Sequence, residues 1–306
     1  MEKEPLVSIV VITYNSSKYV LETLESIKLQ TYLNIELIIS DDCSTDNTVE
    51  ICREFLDKNQ EIPFLKSAKI VSTAKNSGIT PNYNNGLKYA SGEWIKYIAG
   101  DDLLTEDCVE SFVEATKRTA DKLFVCGTYP FNEKEKFPPR YPYPERLKGN
   151  VKLQMKALIK YGTFIEGPTI FVHRKTLLEF GGFSEDYPFI EDFPLFFKFL
   201  TNGHRIHVVD KPLVKYREYQ TSVSRSGSLF VESMSKHYRA VVAPLVPQLN
   251  MYLFHYHNCL MFFMEDNRKK FFWKNRIVRY LIKCIDPISW SDFYHKKVNK
   301  SDICRP

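Results

Sequence analysis

Several features that mark particular classes of protein are absent from this sequence. Its seven cysteines show no C-x-x-C or other paired spacing, which argues against a zinc site and against the disulfide framework of a small secreted domain. Neither sign of charge dominates, since 42 basic residues face 37 acidic ones, and this balance argues against a dedicated nucleic-acid binder. We therefore expect reduced thiols, a cytoplasmic location and no nucleic-acid partner.

Long hydrophobic runs are also absent. No stretch reaches the roughly 18 apolar residues that a membrane-spanning helix needs. The apolar run that ends at Thr13 has no basic segment before it and is too short for a signal peptide, so we expect it to form a strand. These features predict a protein that lies in the cytoplasm, either free or at the inner face of the cell membrane.

Strands and amphipathic helices alternate along most of the chain. β-Branched and apolar segments predict strands at 7–13, 35–40, 69–72, 94–99 and 205–210. The alternation predicts an α/β fold with a mainly parallel sheet flanked by helices. The chain has room for one large domain, residues 1–228, followed by a helical C-terminal region, residues 229–306, that is rich in aromatic and basic side chains. A proline-rich and aromatic segment, 129–150, is predicted to be a loop.

Adjacent carboxylates follow two of the predicted strands. Asp41 and Asp42 follow the second strand, and Asp101 and Asp102 follow the fourth, directly after Gly100. The ends of parallel strands meet at one edge of a sheet, which is where open α/β sheets bind ligands. Carboxylates gathered there repel one another unless a hard cation such as Mg²⁺ or Mn²⁺, bridged to phosphate oxygens, offsets the repulsion. The alternative is a pair of polar turns that cap the next helices.

Other polar residues also allow two interpretations. Tyr14, just past the first strand, can stack on a nucleobase or simply cover the core. Glu191 and Asp192 open an apolar helix, where acids oppose the helix dipole, but one of them can instead be a general base. The segment 44–46 supplies side-chain oxygens that we expect to cap the second helix.

Five sequence blocks, in this order, resemble the family 2 glycosyltransferases with the GT-A fold, over residues 6–225. They are VSIVVITYN, QTYLNIELIISDDCSTDNT, NSG, NNGLKYASGEWIKYIAGDDLL and GPTIFVHRKTLLEFGGFSEDYPFIEDFPLFFKF. The resemblance implies a Rossmann-like GT-A sheet with a C-terminal helical extension. It also implies inverting transfer of a sugar from a nucleotide-sugar, here a UDP-sugar, to a hydroxyl, with Mg²⁺ or Mn²⁺ on the diphosphate and one carboxylate as base.

The resemblance assigns roles to individual residues. Asp192 would be the base with support from Glu191, and Arg217 would neutralise the leaving diphosphate. Asp101 would bind the metal, and Tyr14 would stack on the base of the nucleotide. The residues expected to bind the nucleotide-sugar, with Asp41 accepting from the uracil edge, are Thr13, Tyr14, Asn15, Asp41, Asp42, Asn76, Gly100 and Asp102.

Three positions depart from the family pattern. The leading aspartate of the family's D-x-D motif is Ala99 here, so Asp101 would hold the metal with fewer protein ligands, and phosphates and water would complete the shell. Tyr219 replaces a histidine of a later Y-R-x-H motif, while Arg217 is retained. Cys43 replaces a glycine and is expected to alter only turn geometry.

The partners are expected to be the nucleotide-sugar and a glycan or lipid-linked glycan acceptor, in the synthesis of a surface polysaccharide. Aromatic faces suit sugar C–H surfaces, which places the acceptor near 129–150 and 162–167, although a variable surface loop explains those segments equally well. Arg268–Lys283 alternates basic and apolar residues, as in a peripheral interfacial helix, or in a helix that packs on the domain and exposes its bases.

Two other functions compete with sugar transfer. A relative that binds nucleotide without catalysis would account for Ala99 and Tyr219. A sugar-phosphate nucleotidyltransferase would need a glycine-rich phosphate loop after the first strand, but the segment TYNSSKYV contains no glycine. The nucleotidyltransferase is therefore the less favoured of the two.

Overall fold

The structure is a computed structural model, and it describes residues 4–60, 65–142, 145–162, 164–218 and 228–249. The strands are β1 (Val7–Thr13), β2 (Ile35–Asp41), β3 (Leu65–Ser72), β4 (Trp94–Ala99), β5 (Leu103–Leu104), β6 (Leu123–Phe131), β7 (Phe171–His173) and β8 (Ile206–Arg217). The helices are α1 (Val20–Lys28), α2 (Thr48–Lys58), α3 (Ile79–Tyr89), α4 (Cys108–Thr116), α5 (Val151–Tyr161), α6 (Arg174–Glu179), α7 (Asp192–Thr201), α8 (Ser228–His237) and α9 (Ala243–Leu249). A 3-10 turn lies at Gly167–Thr169, and a π-helical segment lies at Tyr238–Val242.

The chain divides into two compact units, residues 1–225 and 226–306. The domain boundary expected after residue 228 stays a prediction. Tyr219 and the segment Arg268–Lys283 lie outside the described residues. Within the described ranges, no helix is both long enough and apolar enough to cross a membrane.

The strands form one mixed sheet in the order β3-β2-β1-β4-β7-β6-β8-β5. β1 pairs in parallel with β2 and β4, β2 with β3, and β6 with β8, whereas β7 and β5 run antiparallel to their neighbours. The prediction of an α/β fold with a mainly parallel sheet is confirmed. Four parallel strands, β3-β2-β1-β4, therefore end at the same edge of the sheet.

Some elements differ from the sequence prediction. Residues 129–131 were expected in a loop but extend β6, and β8 continues past the predicted end at 210 to Arg217. Both extensions come from parallel pairing between β6 and β8, which overrides the weak strand preference of Pro130 and Pro212. The third strand begins at Leu65 rather than at 69 for the same reason, because it pairs with β2.

The core lies between the sheet and the helices on its two faces. β1 and β2 are buried almost along their whole length, as expected for strands covered on both sides. Behind β4, the ring of Phe171 stacks between Trp94 and Phe112, with centroid distances of 5.3 and 4.7 Å. This packing holds the start of β4 against β7 and α4.

Glu36 forms a buried polar clamp at the opposite edge of the sheet. Its carboxylate accepts hydrogen bonds from Ser8 Oγ at 2.5 Å, from Ser91 N and Oγ at 2.5 and 2.7 Å, and from Gly92 N at 2.9 Å. Burial alone would raise the pKa of Glu36, but these hydrogen bonds outweigh it and lower the pKa. The clamp joins β1, β2 and the start of β4.

We expect Glu36→Ala to lower the free energy of unfolding by roughly 3 kcal/mol at pH 7, because it leaves several buried donors unpaired. Since the folded-state pKa is lowered, the stabilisation is complete above the unfolded pKa of about 4.3 and is lost progressively as the pH falls from there through the folded-state pKa. Urea unfolding at pH 7 and in steps down to about pH 3 measures both effects, with exposed Glu50→Ala as the control. Equal stability of wild type and Glu36→Ala at pH 7 would contradict the role of the clamp.

Candidate active site

The ends of β1, β2 and β4 bring the predicted nucleotide-binding residues to one rim. Thr13 lies opposite Asp41 in the β1–β2 register, and Asp42 N donates to Thr13 O at 2.9 Å. Gly100 N, past the end of β4, donates to Ile12 O at 2.8 Å. The carboxylate pairs that follow β2 and β4 therefore lie at the same edge, as the sequence predicts.

Asp41 is buried, and its carboxylate holds the turn that follows β2. It accepts from Thr13 Oγ1 at 2.8 Å, from Ser44 N at 2.8 Å and from Ser44 Oγ at 2.5 Å. The hydroxyl of Ser44 therefore binds Asp41 instead of capping the helix. Asp46, which precedes the N-cap residue Asn47, accepts from the first N–H of α2, Thr48 N, at 3.0 Å.

Asp42 is also buried, and it binds the loop after β3. Its carboxylate accepts from Thr73 Oγ1 at 2.8 Å, from Ser77 N at 2.9 and 3.0 Å, and from Gly78 N at 2.7 Å. Asn76, another predicted nucleotide ligand, lies in the same loop and accepts from Gly78 N at 3.1 Å. The two adjacent carboxylates thus fix two different loops of the rim.

Tyr14 and Asn15 form the β1 part of the rim. Asn15 has a positive φ of 48°. Its backbone N donates to Ser44 Oγ at 2.8 Å, and its side-chain Oδ1 accepts from Thr45 N at 2.9 Å. Cys43 also has a positive φ, 62°, which favours glycine and explains why the family pattern has glycine there. The Tyr14 ring, 48% exposed, lies on the surface beside these fixed loops, so it is not a lid over the core.

Gly100 allows a close approach between the β4 loop and β1. A Cβ atom at Gly100 would lie 2.8 Å from Thr13 Cγ2, so any side chain would push the loop away. Asp101, next in the chain, is partly buried at the rim, whereas Asp102 is buried and accepts from Arg217 N at 2.8 Å. Burial and the negative charge of Asp101 raise the pKa of Asp102.

Arg217, at the end of β8, fixes the Asp101 loop. Its Nε donates to Asp101 O at 2.8 Å, and its Nη2 pairs with Glu22 at 2.7 Å. The guanidinium also stacks on the rings of Tyr19 and Phe131, 4.2 and 4.5 Å from their centroids. The guanidinium, paired with Glu22, is therefore held in a defined orientation beside the Asp101 backbone.

The side chains near Asp101 suit a metal ion that binds together with the phosphates of a substrate. In the part of the chain that the structure describes, no group of three or more His, Cys, Asp or Glu side chains is arranged to hold a metal ion. Mg²⁺ is usually bound by one or two carboxylates together with substrate phosphates, which matches a single rim carboxylate at Asp101 with Ala99 as a non-ligand. The residues present fit a diphosphate-bound cation and do not fit a cation held by protein alone.

Glu191 and Asp192 lie at the start of α7, against the 3-10 turn. A Cβ atom at Gly167 would lie 2.6 Å from Glu191 Oε1 and 3.8 Å from Asp192 Cβ, so the pair packs directly against Gly167. Burial raises the pKa of both carboxyls, and the charge of Asp192 raises that of Glu191 further. Asp192 Oδ1 accepts from Phe193 N at 2.6 Å, while the Glu191 side chain makes no capping bond.

The structure also identifies residues that motif reasoning did not single out. Gly167 is one of them, and two others lie on α3. The side-chain amide of Asn82 donates to Thr13 O at 3.2 Å and to Ser40 O at 3.0 Å. Burial raises the pKa of Tyr83, and the charges of Glu191 and Asp192 raise it further. Both lie between two of the quoted blocks, after NSG and just before NNGLKYASGEWIKYIAGDDLL. Their spacing carries no motif signal, because their role depends on contacts distant in sequence.

Comparisons with known proteins agree with this geometry. The sequence pattern of "Glycosyl transferase family 2" matches residues 8–180. The chain is 27% identical over 249 residues to the uncharacterized glycosyltransferase EpsJ of Bacillus subtilis, covering 78% of this chain and 69% of EpsJ. It is 32% identical over 130 residues to the glycosyltransferase GlyG of Streptococcus pneumoniae, covering 42% of this chain and 41% of GlyG.

Solved structures show the same fold. S. aureus TarS 1-349, in complex with UDP-GlcNAc, aligns with a TM-score of 0.55 at 20% identity, over 79% of this chain and 75% of that one. The mannosyltransferase PcManGT from Pyrobaculum calidifontis, in complex with GDP-Man and Mn²⁺, aligns with a TM-score of 0.59 at 20% identity, over 82% of this chain and 70% of that one. Both are glycosyltransferases of the GT-A fold. With the family pattern covering more than half of its length, this chain belongs to glycosyl transferase family 2 and has the GT-A fold.

Proposed function

We propose that this protein is an inverting glycosyltransferase that moves a sugar from a UDP-sugar to a hydroxyl of a glycan or lipid-linked glycan in surface polysaccharide synthesis. One observation carries the proposal. The polar rim at the ends of β1, β2 and β4 and the Glu191–Asp192 pair, with its raised pKa values, occur together on one GT-A domain. Such a combination can hold a nucleotide and also accept a proton.

In this mechanism Asp192 is the base. It takes the proton of the acceptor hydroxyl as the new bond to the anomeric carbon forms and the bond to the diphosphate oxygen breaks with its electron pair. Glu191, whose pKa is raised by burial and by Asp192, holds the proton that the pair shares, so that the negative charge stays on Asp192. A raised pKa also makes Asp192 a stronger base than an ordinary carboxylate.

The leaving diphosphate requires positive charge at the rim. Asp101 would hold Mg²⁺ or Mn²⁺, which when bound neutralises the diphosphate. Arg217, held beside the Asp101 backbone, adds a fixed positive charge there. TarS with UDP-GlcNAc and PcManGT with GDP-Man and Mn²⁺ support a nucleotide-sugar donor and a divalent cation for this chain.

The acceptor is proposed to lie along the segments 129–150 and 162–167, which begin within β6 and directly after Tyr161, the last residue of α5. Tyr129, Tyr141 and Tyr161 are 39%, 40% and 42% exposed, so their rings are accessible to sugar faces. The Arg146 guanidinium stacks on the ring of Tyr161, 4.0 Å from its centroid. A cytoplasmic location and peripheral membrane contact through Arg268–Lys283 remain part of this proposal.

A relative that binds nucleotide without catalysis is the second candidate, favoured by Ala99 at the leading position of D-x-D. Incubating the protein with a panel of nucleotide-sugars, with and without Mn²⁺, separates the two functions. Metal-dependent release of nucleoside diphosphate supports the transferase. Binding without release in the presence of acceptor glycans contradicts it.

We expect Tyr14→Ala to weaken UDP binding by about 1–3 kcal/mol, the usual contribution of one stacked base. The ring is half-exposed, so its removal leaves the fold intact. Isothermal titration calorimetry with UDP measures the change, and Tyr14→Phe, which keeps the stacking face, is the control. Unchanged UDP affinity in Tyr14→Ala would remove Tyr14 from the nucleotide site.

The same assay tests the proposed contact between Asp41 and the uracil edge. The affinities for UDP and for GDP are measured for Asp41→Asn and compared with those of the wild type.

A further inference from the structure

Helix α3 holds the segment 182–190, which leads directly into Glu191. Asn84 makes three hydrogen bonds to this segment. Its Nδ2 donates to Phe183 O at 2.9 Å and to Glu185 Oε1 at 2.8 Å, and its Oδ1 accepts from Phe183 N at 2.9 Å. Gly182 allows this approach, since a Cβ atom there would lie 2.6 Å from Asn84 Oδ1. One side chain thus fixes the beginning of the segment.

The first turn of α3 fixes the end of the segment. Thr80 is buried, its Oγ1 donates to Tyr187 O at 3.0 Å, and its N points to Pro188 O at 3.5 Å. The first N–H groups of a helix have no partner within the helix, so carbonyls presented to them are bound well. Ile190 N donates to Tyr187 O at 3.2 Å, which closes a turn over residues 187–190. This turn connects the carbonyl that Thr80 binds to Glu191.

Aromatic packing supports the same arrangement. Tyr83, on α3, stacks on Tyr97 of β4 at 4.8 Å and meets the ring of Phe183 at 4.9 Å. Phe183 therefore contacts α3 through both its backbone and its ring. The segment can shift only if these contacts break.

The other side of α3 is anchored to the nucleotide rim. Ser40 Oγ donates to Asn82 Oδ1 at 2.6 Å, and Asp42 binds Gly78 N, at the start of the helix, at 2.7 Å. A Cβ atom at Gly86 would lie only 2.4 Å from Val10 Cγ1, so α3 lies directly on β1. The helix therefore has fixed contacts on two sides.

We propose that α3 sets the position of the Glu191–Asp192 pair relative to the donor site, with Thr80 and Asn84 as positioning residues. The inference depends on the proposed function, since it concerns the base of that reaction. In-line transfer requires the base, the hydroxyl and the anomeric carbon to align, and a displacement of about 1 Å can lower the rate by about 10²-fold. A rigid helix between the two halves of the site supplies that alignment.

The test uses the full-length protein and pairs each variant with a control. Thr80→Val removes the hydroxyl at nearly constant volume, Thr80→Ser restores it, and Asn84→Ala removes the second anchor. Lys88→Ala, exposed on the last turn of α3, is the control on the same helix. We expect Thr80→Val and Asn84→Ala each to lower kcat by about 10-fold or more, with UDP affinity unchanged and with Thr80→Ser near wild type.

Two further measurements distinguish positioning from stability. The acidic limb of the pH profile of kcat should move in Thr80→Val. The reason is that the substitution changes the burial of Glu191 and Asp192, and this burial raises their pKa values. Carboxyl ¹³C NMR of Glu191 and Asp192 should show the same shift without any need for turnover. Lower melting temperatures with wild-type kcat and wild-type carboxyl titration would overturn the proposal. If the wild type transfers no sugar, the proposed function fails, and the NMR titration still decides whether α3 positions the pair.

Discussion

Asp192→Asn is expected to lower the rate of sugar transfer by about 10² to 10⁴, the usual cost of losing a general base. The substitution keeps the size of the side chain and removes only its charge. The asparagine Oδ1 can still accept from Phe193 N, the contact that Asp192 makes at 2.6 Å, so the start of α7 is preserved. Nucleotide affinity should not change, because the donor contacts lie at the ends of the strands.

The pH dependence follows from the raised pKa of Asp192. Because the base must be deprotonated, kcat should fall as the pH drops through that pKa, which burial places above the ordinary carboxyl range of about 4. This fall of kcat at low pH should be absent from the residual activity of Asp192→Asn. Glu191→Gln is the matched control: it keeps a neutral group beside Asp192, so it should retain most of the activity.

A different result would assign Asp192 to the helix alone. Loss of a helix cap lowers stability by about 1 kcal/mol and has little kinetic effect. If Asp192→Asn melts earlier but turns over at the wild-type rate, the base lies elsewhere. Glu191 would then become the first residue to test.

Asp101→Asn is expected to abolish the stimulation of turnover by Mg²⁺ or Mn²⁺. Asp101 is the rim carboxylate beside Arg217, and Ala99 cannot replace it as a ligand. In the proposed site Asp101 and the phosphates would hold Mg²⁺, so this variant removes the carboxylate expected to bind it. The effect should be larger than for a protein with a complete D-x-D motif.

The measurement is a titration of transfer rate with Mn²⁺ and with Mg²⁺, alongside thermal unfolding. Asp57→Asn, an exposed aspartate on α2, is the control for the loss of one negative charge. The melting temperature of Asp101→Asn should stay close to that of the wild type, because a partly exposed rim carboxylate contributes little to the core. Wild-type turnover of Asp101→Asn at saturating Mn²⁺ would refute the metal role, and global unfolding would indicate a structural role instead.

The positions of the carboxylate pairs follow from local pattern. β1, β2 and β4 are short apolar runs that must be buried, and a parallel sheet places their carboxyl ends together. Asp41 and Asp42 had to lie at that edge, whatever the remaining chain does. Their contacts are a different matter, because each carboxylate binds a loop whose position depends on other strands.

The sequence by itself thus determined the α/β class, the parallel strands, the rim and the family resemblance, since these depend on periodicity and on residues close in sequence. Only the tertiary structure decided what α3 does. Its stretch ITPNYNNG is poor in strong helix formers, so its helical form depends on distant partners such as Ser40 and Phe183. The room that Gly167 leaves for Glu191 was hidden for the same reason. Contacts between residues far apart in the chain leave no periodic signal, and those contacts hold the segment that leads into Glu191 and Asp192.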